Sequence, residues 1–170
     1  MKTDIHLAKI NYDNAFEICK LRVKKAQKNF VASNMASLAE AYAARESGMT
    51  ALPFGIYNGK RPIGFVMIGY DVPLDDDDDP KKCWFLKGNY LIWRFMIDKR
   101  YQGRGYGKEA FKQVLDYIKT WPCGKAEYAW LSYEPENEVA KKMYASFGFE
   151  EVPDVYDGDN WDEMPAVLKL

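Results

Sequence analysis

Residues 93–111, WRFMIDKRYQGRGYGKEAF, join two segments of opposite character. The segment YLIWRFMI, residues 90–97, is an almost unbroken apolar run, which is typical of a strand buried on both faces of a sheet. Residues 110–118 place their apolar side chains on one face of a helix. Three glycines separate the two segments: Gly103, Gly105 and Gly107. A strand that passes through glycines into a helix predicts an anion site at the helix N-terminus, where backbone N–H groups are unpaired.

The segments before this stretch predict a strand, two helices and a hairpin. Residues 4–10 alternate as a strand does, and a helical segment follows with Ala15, Ile18, Cys19 and Val23 near helical spacing. Residues 34–48 predict a second helix that ends at Gly48. Residues 53–72 predict a hairpin, because Asn58-Gly59 suits a tight turn with positive φ. The five aspartates at 75–79, with prolines on both sides, predict a solvated loop.

The segments after the glycines predict one more strand–helix unit and two closing strands. Residues 126–133 are the strand, and residues 137–147 are a helix whose C′ residue is Gly148. The apolar stripe of this helix is predicted to contain Val139, Ala140, Met143, Tyr144 and Phe147. Residues 150–157 and 164–170 predict the closing strands. The order of elements predicts an α/β domain with a mixed sheet, occupying residues 1–170 as a single domain.

Composition excludes several classes of function. The net charge of −1 argues against a dedicated nucleic-acid binder. With a single histidine and three cysteines that form no CxxC pair, a metal site is not expected. No run approaches the roughly 18 apolar residues of a membrane span. We therefore expect a soluble, cytoplasmic protein that does not bind membranes.

The glycine spacing fits neither of the two common nucleotide loops. The Walker loop needs a Ser or Thr after its Gly-Lys pair, and here Gly107-Lys108 is followed by Glu109. The dinucleotide-binding fingerprint needs its third glycine three positions after the second, where this chain has Lys108. Both interpretations are therefore weak.

The spacing that fits is Gln102-x-x-Gly105-x-Gly107, and here the sequence resembles the GNAT superfamily of N-acetyltransferases. Residues 93–110 and 137–149 are most similar to bacterial diamine or spermine/spermidine acetyltransferases. The resemblance implies acetyl-CoA (coenzyme A) as the cofactor and an α/β (α+β) fold. In that fold a mixed, mostly antiparallel sheet is flanked by about four helices, and its central strand pair splays apart. A homodimer would be usual for the family.

The resemblance also implies the residues that bind the cofactor. Backbone groups of Phe95, Met96 and Ile97 would contact the pantetheine arm. The pyrophosphate would bind in the loop formed by Gln102, Gly103, Arg104, Gly105, Tyr106, Gly107 and Lys108. Asn137 matches a position that hydrogen-bonds the cofactor. It is also a good residue for a helix N-cap, and both interpretations stay open.

For catalysis, the resemblance implies that Tyr144 is the general acid that protonates the leaving thiolate. Packing of Tyr144 in the core is the alternative. Polyamine acetyltransferases of this type carry a carboxylate where this chain has Trp93. Trp93 either stacks on a cationic substrate or packs in the cleft, and the general base is left open between acids such as Glu134 and Glu136.

The C-terminal acidic stretch, residues 150–163, is a candidate for attracting a cationic substrate, through residues such as Asp157, Asp159 and Asp162. The expected reaction is acetyl transfer from acetyl-CoA to a primary amine of a small molecule, such as a diamine or polyamine. The alternatives are a protein N-terminus, an amino acid or an aminoglycoside as acceptor, or a non-catalytic module that binds acyl-CoA.

Overall fold

The computed structural model describes residues 3–158 and 161–170. Its strands are β1 (Ile5–Lys9), β2 (Thr50–Asn58), β3 (Arg61–Tyr70), β4 (Tyr90–Ile97), β5 (Tyr128–Tyr133), β6 (Glu150–Glu151) and β7 (Met164–Lys169). Its α-helices are α1 (Ala15–Cys19), α2 (Asn34–Glu46), α3 (Tyr106–Ile118) and α4 (Glu138–Ala145), with a 3₁₀ turn at Lys25–Gln27.

The strands form a seven-stranded sheet in the order β1-β2-β3-β4-β5-β7-β6. Every neighbouring pair is antiparallel except β4 and β5, which are parallel. The predicted mixed, mostly antiparallel sheet with about four helices is therefore confirmed. The strand β4 lies in the middle of the sheet, so the loop that follows it starts from the centre of the molecule.

The predicted hairpin forms between β2 and β3. Asn58 pairs with Arg61, so the loop has two residues, Gly59 and Lys60. Within this hairpin turn only Gly59 has a positive φ, of 58°. Glycine at the first loop position is what a type II′ turn requires, and this turn matches the twist of the two strands.

The glycine after α4 fixes where this helix ends. The N–H of Phe149 donates to the carbonyl of Tyr144, and the N–H of Gly148 donates to the carbonyl of Ala145. Gly148 has a φ of 91°. This pattern is a Schellman motif with Gly148 at C′, as the sequence predicted. The motif turns the chain so that Phe149 is buried beside the ring of Tyr144, at 6.1 Å between centroids.

Two boundary predictions and one prediction about a helix face were wrong. The first helix does not reach Val23, because the backbone of Arg22 is held by Asp98 and Lys99, after β4. Val139 is not on the buried stripe of α4 but is 74% exposed. The strand predicted at 150–157 is limited to Glu150 and Glu151, since Pro153 cannot donate to a ladder.

Candidate active site

The candidate active site is a cleft that opens where β4 and β5 separate. The two strands pair only at Tyr90 with Ala129 and at Leu91 with Trp130. Beyond Leu91 they diverge, and a cleft of about 500 Å³ lies between residues 92–97 of β4 and Ser132 and Tyr133 of β5. The predicted splay of the central pair is therefore confirmed. Backbone groups of β4 that face β5 are left open to a ligand, which is the arrangement in which a peptide-like chain can add to a strand edge.

A β-bulge in β4 lies at the edge of this cleft. Met67 of β3 pairs with Arg94 and Ile68 pairs with Ile92, so Trp93 has no partner on β3. Bulges reorient side chains beside active sites. Here the half-buried Trp93 lines the cleft, and its role in binding a substrate stays a prediction.

The side chain of Arg94, next to Trp93, is held in place by contacts with other residues of the chain. Its guanidinium pairs with Glu40 of α2 at 3.1 Å and donates to the carbonyl of Trp93 at 2.8 Å. Its Nε is buried without an acceptor among the described residues. Arg94 also lines the cleft, so it adds positive charge close to β4.

One end of the cleft is a loop of unpaired backbone amides. Gly103 and Gly105 have φ values of 76° and 81°, a conformation that glycine adopts without strain. Gly105 is the N-cap of α3 and no side chain caps this helix. Within the described chain, the amides of residues 103–108 donate to no protein acceptor. A diphosphate would satisfy such amides and interact with the helix dipole, so these residues fit the pyrophosphate of coenzyme A.

The side chain of Gln102 braces this loop. Its amide nitrogen donates to the carbonyl of Ile97 at 2.9 Å and to Oε1 of Gln27 at 3.0 Å. Oε1 of Gln27 also accepts from the backbone N–H of Lys24. The amide nitrogen of Gln102 therefore acts within the protein, and Gln102 also lines the cleft.

The other predicted cofactor residues divide into two groups. Phe95, Met96 and Ile97 line the cleft, as do Gly103 and Gly107. The side chains of Arg104 and Lys108 are exposed at the rim of the loop, and Tyr106 is half-buried at the first turn of α3. The segment 23–32 forms part of the facing wall. We did not predict this wall, because it depends on contacts between residues far apart in sequence.

Tyr144 lines the cleft between the loop and the acidic end. Its side chain is packed between Phe111 and Tyr133, with ring centroids at 5.2 and 5.7 Å. Its hydroxyl makes no hydrogen bond to the residues that the structure describes. Burial raises the pKa of the Tyr144 phenol above its ordinary value, and the negative charge of Glu163 raises it further. The phenol is therefore protonated at neutral pH.

Asn137 is the predicted helix N-cap, and its binding to the cofactor stays a prediction. Its side-chain oxygen accepts from the N–H of Ala140 at 3.2 Å, so it is the N-cap of α4. Asn137 also lines the cleft. Its amide nitrogen has no acceptor among the described residues and stays a candidate donor to the cofactor.

Glu163 is the residue of the site that sequence reasoning did not single out. It lines the cleft next to Ser132, whose hydroxyl donates to Glu163 Oε2. Partial burial raises the pKa of Glu134, and the negative charges of Glu163, Asp162 and Glu136 raise it further. This end of the cleft is therefore negative. The signal available in the sequence was the acidic stretch 150–163, but nothing in it distinguished Glu163 from its neighbours.

Of the two aspartates predicted to bind substrate, Asp157 does not line the cleft. Asp157 is exposed, and its Oδ1 accepts from the backbone N–H of Trp161 at 3.0 Å. Asp159 lies outside the described residues.

In the described ranges, no group of three or more acidic, cysteine or histidine residues could hold a metal ion. No helix in those ranges is long and apolar enough to cross a membrane.

Comparison with known proteins agrees with this geometry. Two curated relatives come from Bacillus subtilis: a spermine/spermidine N(1)-acetyltransferase of strain 168 and a probable spermine N(1)-acetyltransferase of the natto subspecies. Each is 28% identical over 146 residues, which cover 86% of this chain and 88% of the relative.

Solved structures show the same fold. An aminoglycoside acetyltransferase in complex with coenzyme A superposes with a TM-score of 0.70 at 15% identity, over 98% of this chain and 95% of that one. The PaiA N-acetyltransferase of Thermoplasma acidophilum, also in complex with coenzyme A, superposes with a TM-score of 0.62 at 14% identity, over 98% of this chain and 99% of that one.

Residues 16–149 match the model of the Acetyltransferase (GNAT) family. The chain therefore belongs to the GNAT family and is an acetyl-CoA-dependent N-acetyltransferase.

Proposed function

We propose that the protein acetylates a primary amine of a small diamine or polyamine. The observation that carries this proposal is the order of groups along one cleft. Unpaired amides lie at one end, Tyr144 lies in the middle and the carboxylate of Glu163 lies at the other end. A cofactor that is anionic and an acceptor that is cationic would then bind at opposite ends. The names of the two Bacillus relatives support a polyamine as the acceptor.

In this proposal Tyr144 is the general acid. The thioester supplies the acetyl group, and its sulfur must take up a proton when the carbon–sulfur bond breaks. A phenol that stays protonated can supply that proton. Phe111 and Tyr133 pack against the ring of Tyr144 and hold it in place.

Glu163 is the candidate general base. An alkyl ammonium has a pKa near ~10, so most of the substrate arrives protonated and must lose a proton before it attacks. Glu163 is the carboxylate that lines the cleft, and Ser132 donates a hydrogen bond to it and so fixes its orientation. A carboxylate is a weak base for this amine, so we propose that Glu163 takes up the ammonium proton through water and that only a small fraction of the bound amine is deprotonated at any moment.

An aminoglycoside is the second candidate acceptor, because it also carries several ammonium groups and would be attracted to the same negative end. The structural likeness to the aminoglycoside acetyltransferase concerns the fold alone and does not choose between the two. Turnover measured with spermidine and with kanamycin separates them.

Replacement of Tyr144 by Phe tests the catalytic proposal. We expect kcat to fall about 10²- to 10⁴-fold, the usual contribution of a general acid, with little change in the affinity for coenzyme A. Tyr133→Phe is the matched control, because this neighbouring hydroxyl is already engaged with Glu151 at 2.5 Å. If kcat of Tyr144→Phe equals that of the wild type, Tyr144 is not the general acid.

A further inference from the structure

A second cavity, of about 530 Å³, adjoins the candidate active site. The two cavities share two lining residues, Trp93 and Ser132. The two cavities are therefore neighbours on either side of these two side chains. We propose that the second cavity binds the distal ammonium group of a linear polyamine while its primary amine is acetylated in the cleft. This inference rests on the proposed function.

The lining of this cavity is acidic. Its charged lining residues are all aspartates: Asp71, Asp75, Asp77 and Asp78. Two of them already have partners, since Asp71 accepts from the N–H of Gly88 at 2.8 Å and Asp78 accepts from Trp161 Nε1 at 3.0 Å. The carboxylates of Asp75 and Asp77 have no hydrogen bond or ion pair within residues 3–158 and 161–170. The cavity thus carries negative charge that no described side chain neutralises, and a cation fits it.

Aromatic rings form the other walls. Trp93, Trp130, Trp161 and Tyr70 line the cavity. Ring faces attract ammonium groups and pack against the methylene groups between them. Carboxylates beside aromatic faces are therefore suited to an alkyl polyamine more than to a hydrated metal ion.

Trp130 adds an independent observation. Its side chain is buried, with 5% of the residue exposed, and its Nε1–H has no acceptor among the described residues. An unpaired buried donor costs free energy, so its presence in a cavity wall needs an explanation. The oxygen of a water that hydrates an ammonium group can accept from this N–H and from the ammonium at once.

The loop that carries the aspartates is anchored. The sequence predicted a solvated loop at residues 75–79, and four of these five aspartates are exposed. A buried cluster that includes Cys83, Phe85 and Leu86 ties the residues that follow to the sheet. The ring of Phe85 packs on Trp130 at 5.2 Å and on Trp161 at 5.9 Å. Asp78 accepts from the N–H of Asp75 at 2.9 Å and so closes the turn. The acidic wall is thus built into the fold.

The aspartate run supplies its own control. Asp75 and Asp77 line the cavity, whereas Asp76, between them, does not. The three single changes to Asn remove the same charge from neighbouring positions. We expect KM for spermidine to rise about threefold in Asp75→Asn and in Asp77→Asn, as for a screened ion pair, and about tenfold in the double variant. Asp76→Asn should leave KM unchanged, and KM for butylamine, which has no distal ammonium, should be unchanged in all variants.

Binding measured without turnover separates this inference from the proposed function. Calorimetric titration of spermidine into the protein with coenzyme A should give a weaker Kd in Asp75→Asn/Asp77→Asn than in Asp76→Asn. If the wild type acetylates no amine yet shows this difference in Kd, the proposed function fails and the cavity assignment stands. If spermidine turnover and binding are equal in the double variant, in Asp76→Asn and in the wild type, or if all three single changes act alike, the cavity assignment is wrong.

Discussion

The side chain of Gln102 donates a hydrogen bond of 2.9 Å to the carbonyl of Ile97. The bond joins the first residue of the glycine motif to the last residue of β4. Gln102 also donates a hydrogen bond to Gln27, so its side-chain amide connects β4, the glycine loop and the facing wall formed by residues 23–32. The glutamine of the motif therefore serves to hold the glycine loop in position.

Loss of this brace should weaken cofactor binding. Gln102→Ala removes two hydrogen bonds, each worth about 1 kcal/mol, and we expect KM for acetyl-CoA to rise about tenfold with a smaller change in kcat. Gln113→Ala on α3 is the control, since this glutamine makes no hydrogen bond to a described residue. An unaltered KM in Gln102→Ala would show that the loop holds its shape without the brace.

Replacement of Glu163 by Gln keeps the side-chain shape and removes the negative charge from the cleft. We expect kcat/KM for the amine to fall about 10²-fold near pH 7. At high pH kcat/KM should recover, because more of the amine is then already deprotonated and needs no base. Glu136→Gln is the control, because this glutamate is exposed and does not line the cleft. Equal pH profiles for Glu163→Gln and the wild type would exclude Glu163 as the base.

The two halves of the site differ in how far the sequence predicted them. The cofactor half follows from local order, because strand, glycines and helix are consecutive in residues 90–118. The acceptor half depends on pairing between distant strands. Ser132 lies opposite Pro165 in the β5–β7 ladder, and this pairing brings Glu163 to the cleft. No local pattern encodes that register, so Glu163 and Gln27 became visible only in the folded chain.

Asp98, the residue that follows β4, makes the free energy of unfolding depend on pH. Burial alone would raise the pKa of Asp98, but hydrogen bonds from Arg100 and Arg22 outweigh burial, and the pKa lies below its ordinary value. Its contribution is therefore present above the unfolded-state pKa of about 3.9 and is lost as the pH falls through the lower folded-state pKa. Asp98→Asn should lower the free energy of unfolding by about 2 kcal/mol at pH 7 and should flatten its fall below about pH 4.

Urea unfolding followed from pH 2 to pH 7 measures this effect, on the pH scale over which carboxylates titrate, roughly 2 to 5. Asp116→Asn is the control, since Asp116 forms an exposed ion pair with Lys112 on α3. An Asp98→Asn variant as stable as the wild type at pH 7 would show that Arg22 and Arg100 are held by other contacts.

Gly64 of β3 allows β4 to approach closely. A Cβ at this position would lie 2.4 Å from the carbonyl oxygen of Met96 and 2.9 Å from Ile97 Cδ1. Gly64→Ala should therefore destabilise the fold by about 2–3 kcal/mol, the cost of overpacking against backbone. Gly69→Ala on the same strand is the control, because its Cβ would meet Leu91 at an ordinary 3.4 Å. Equal melting temperatures for the two variants would show that β4 can shift at no cost.

The central claim is acetyl transfer to a polyamine, and the release of free thiol from acetyl-CoA tests it most directly. The purified protein is supplied with acetyl-CoA and either spermidine, butylamine, kanamycin or no acceptor, and the product is identified by mass spectrometry. The account predicts fast thiol release with spermidine, slower release with butylamine, little without acceptor, and acetyl-spermidine as product. Thiol release that is the same with and without spermidine would contradict it.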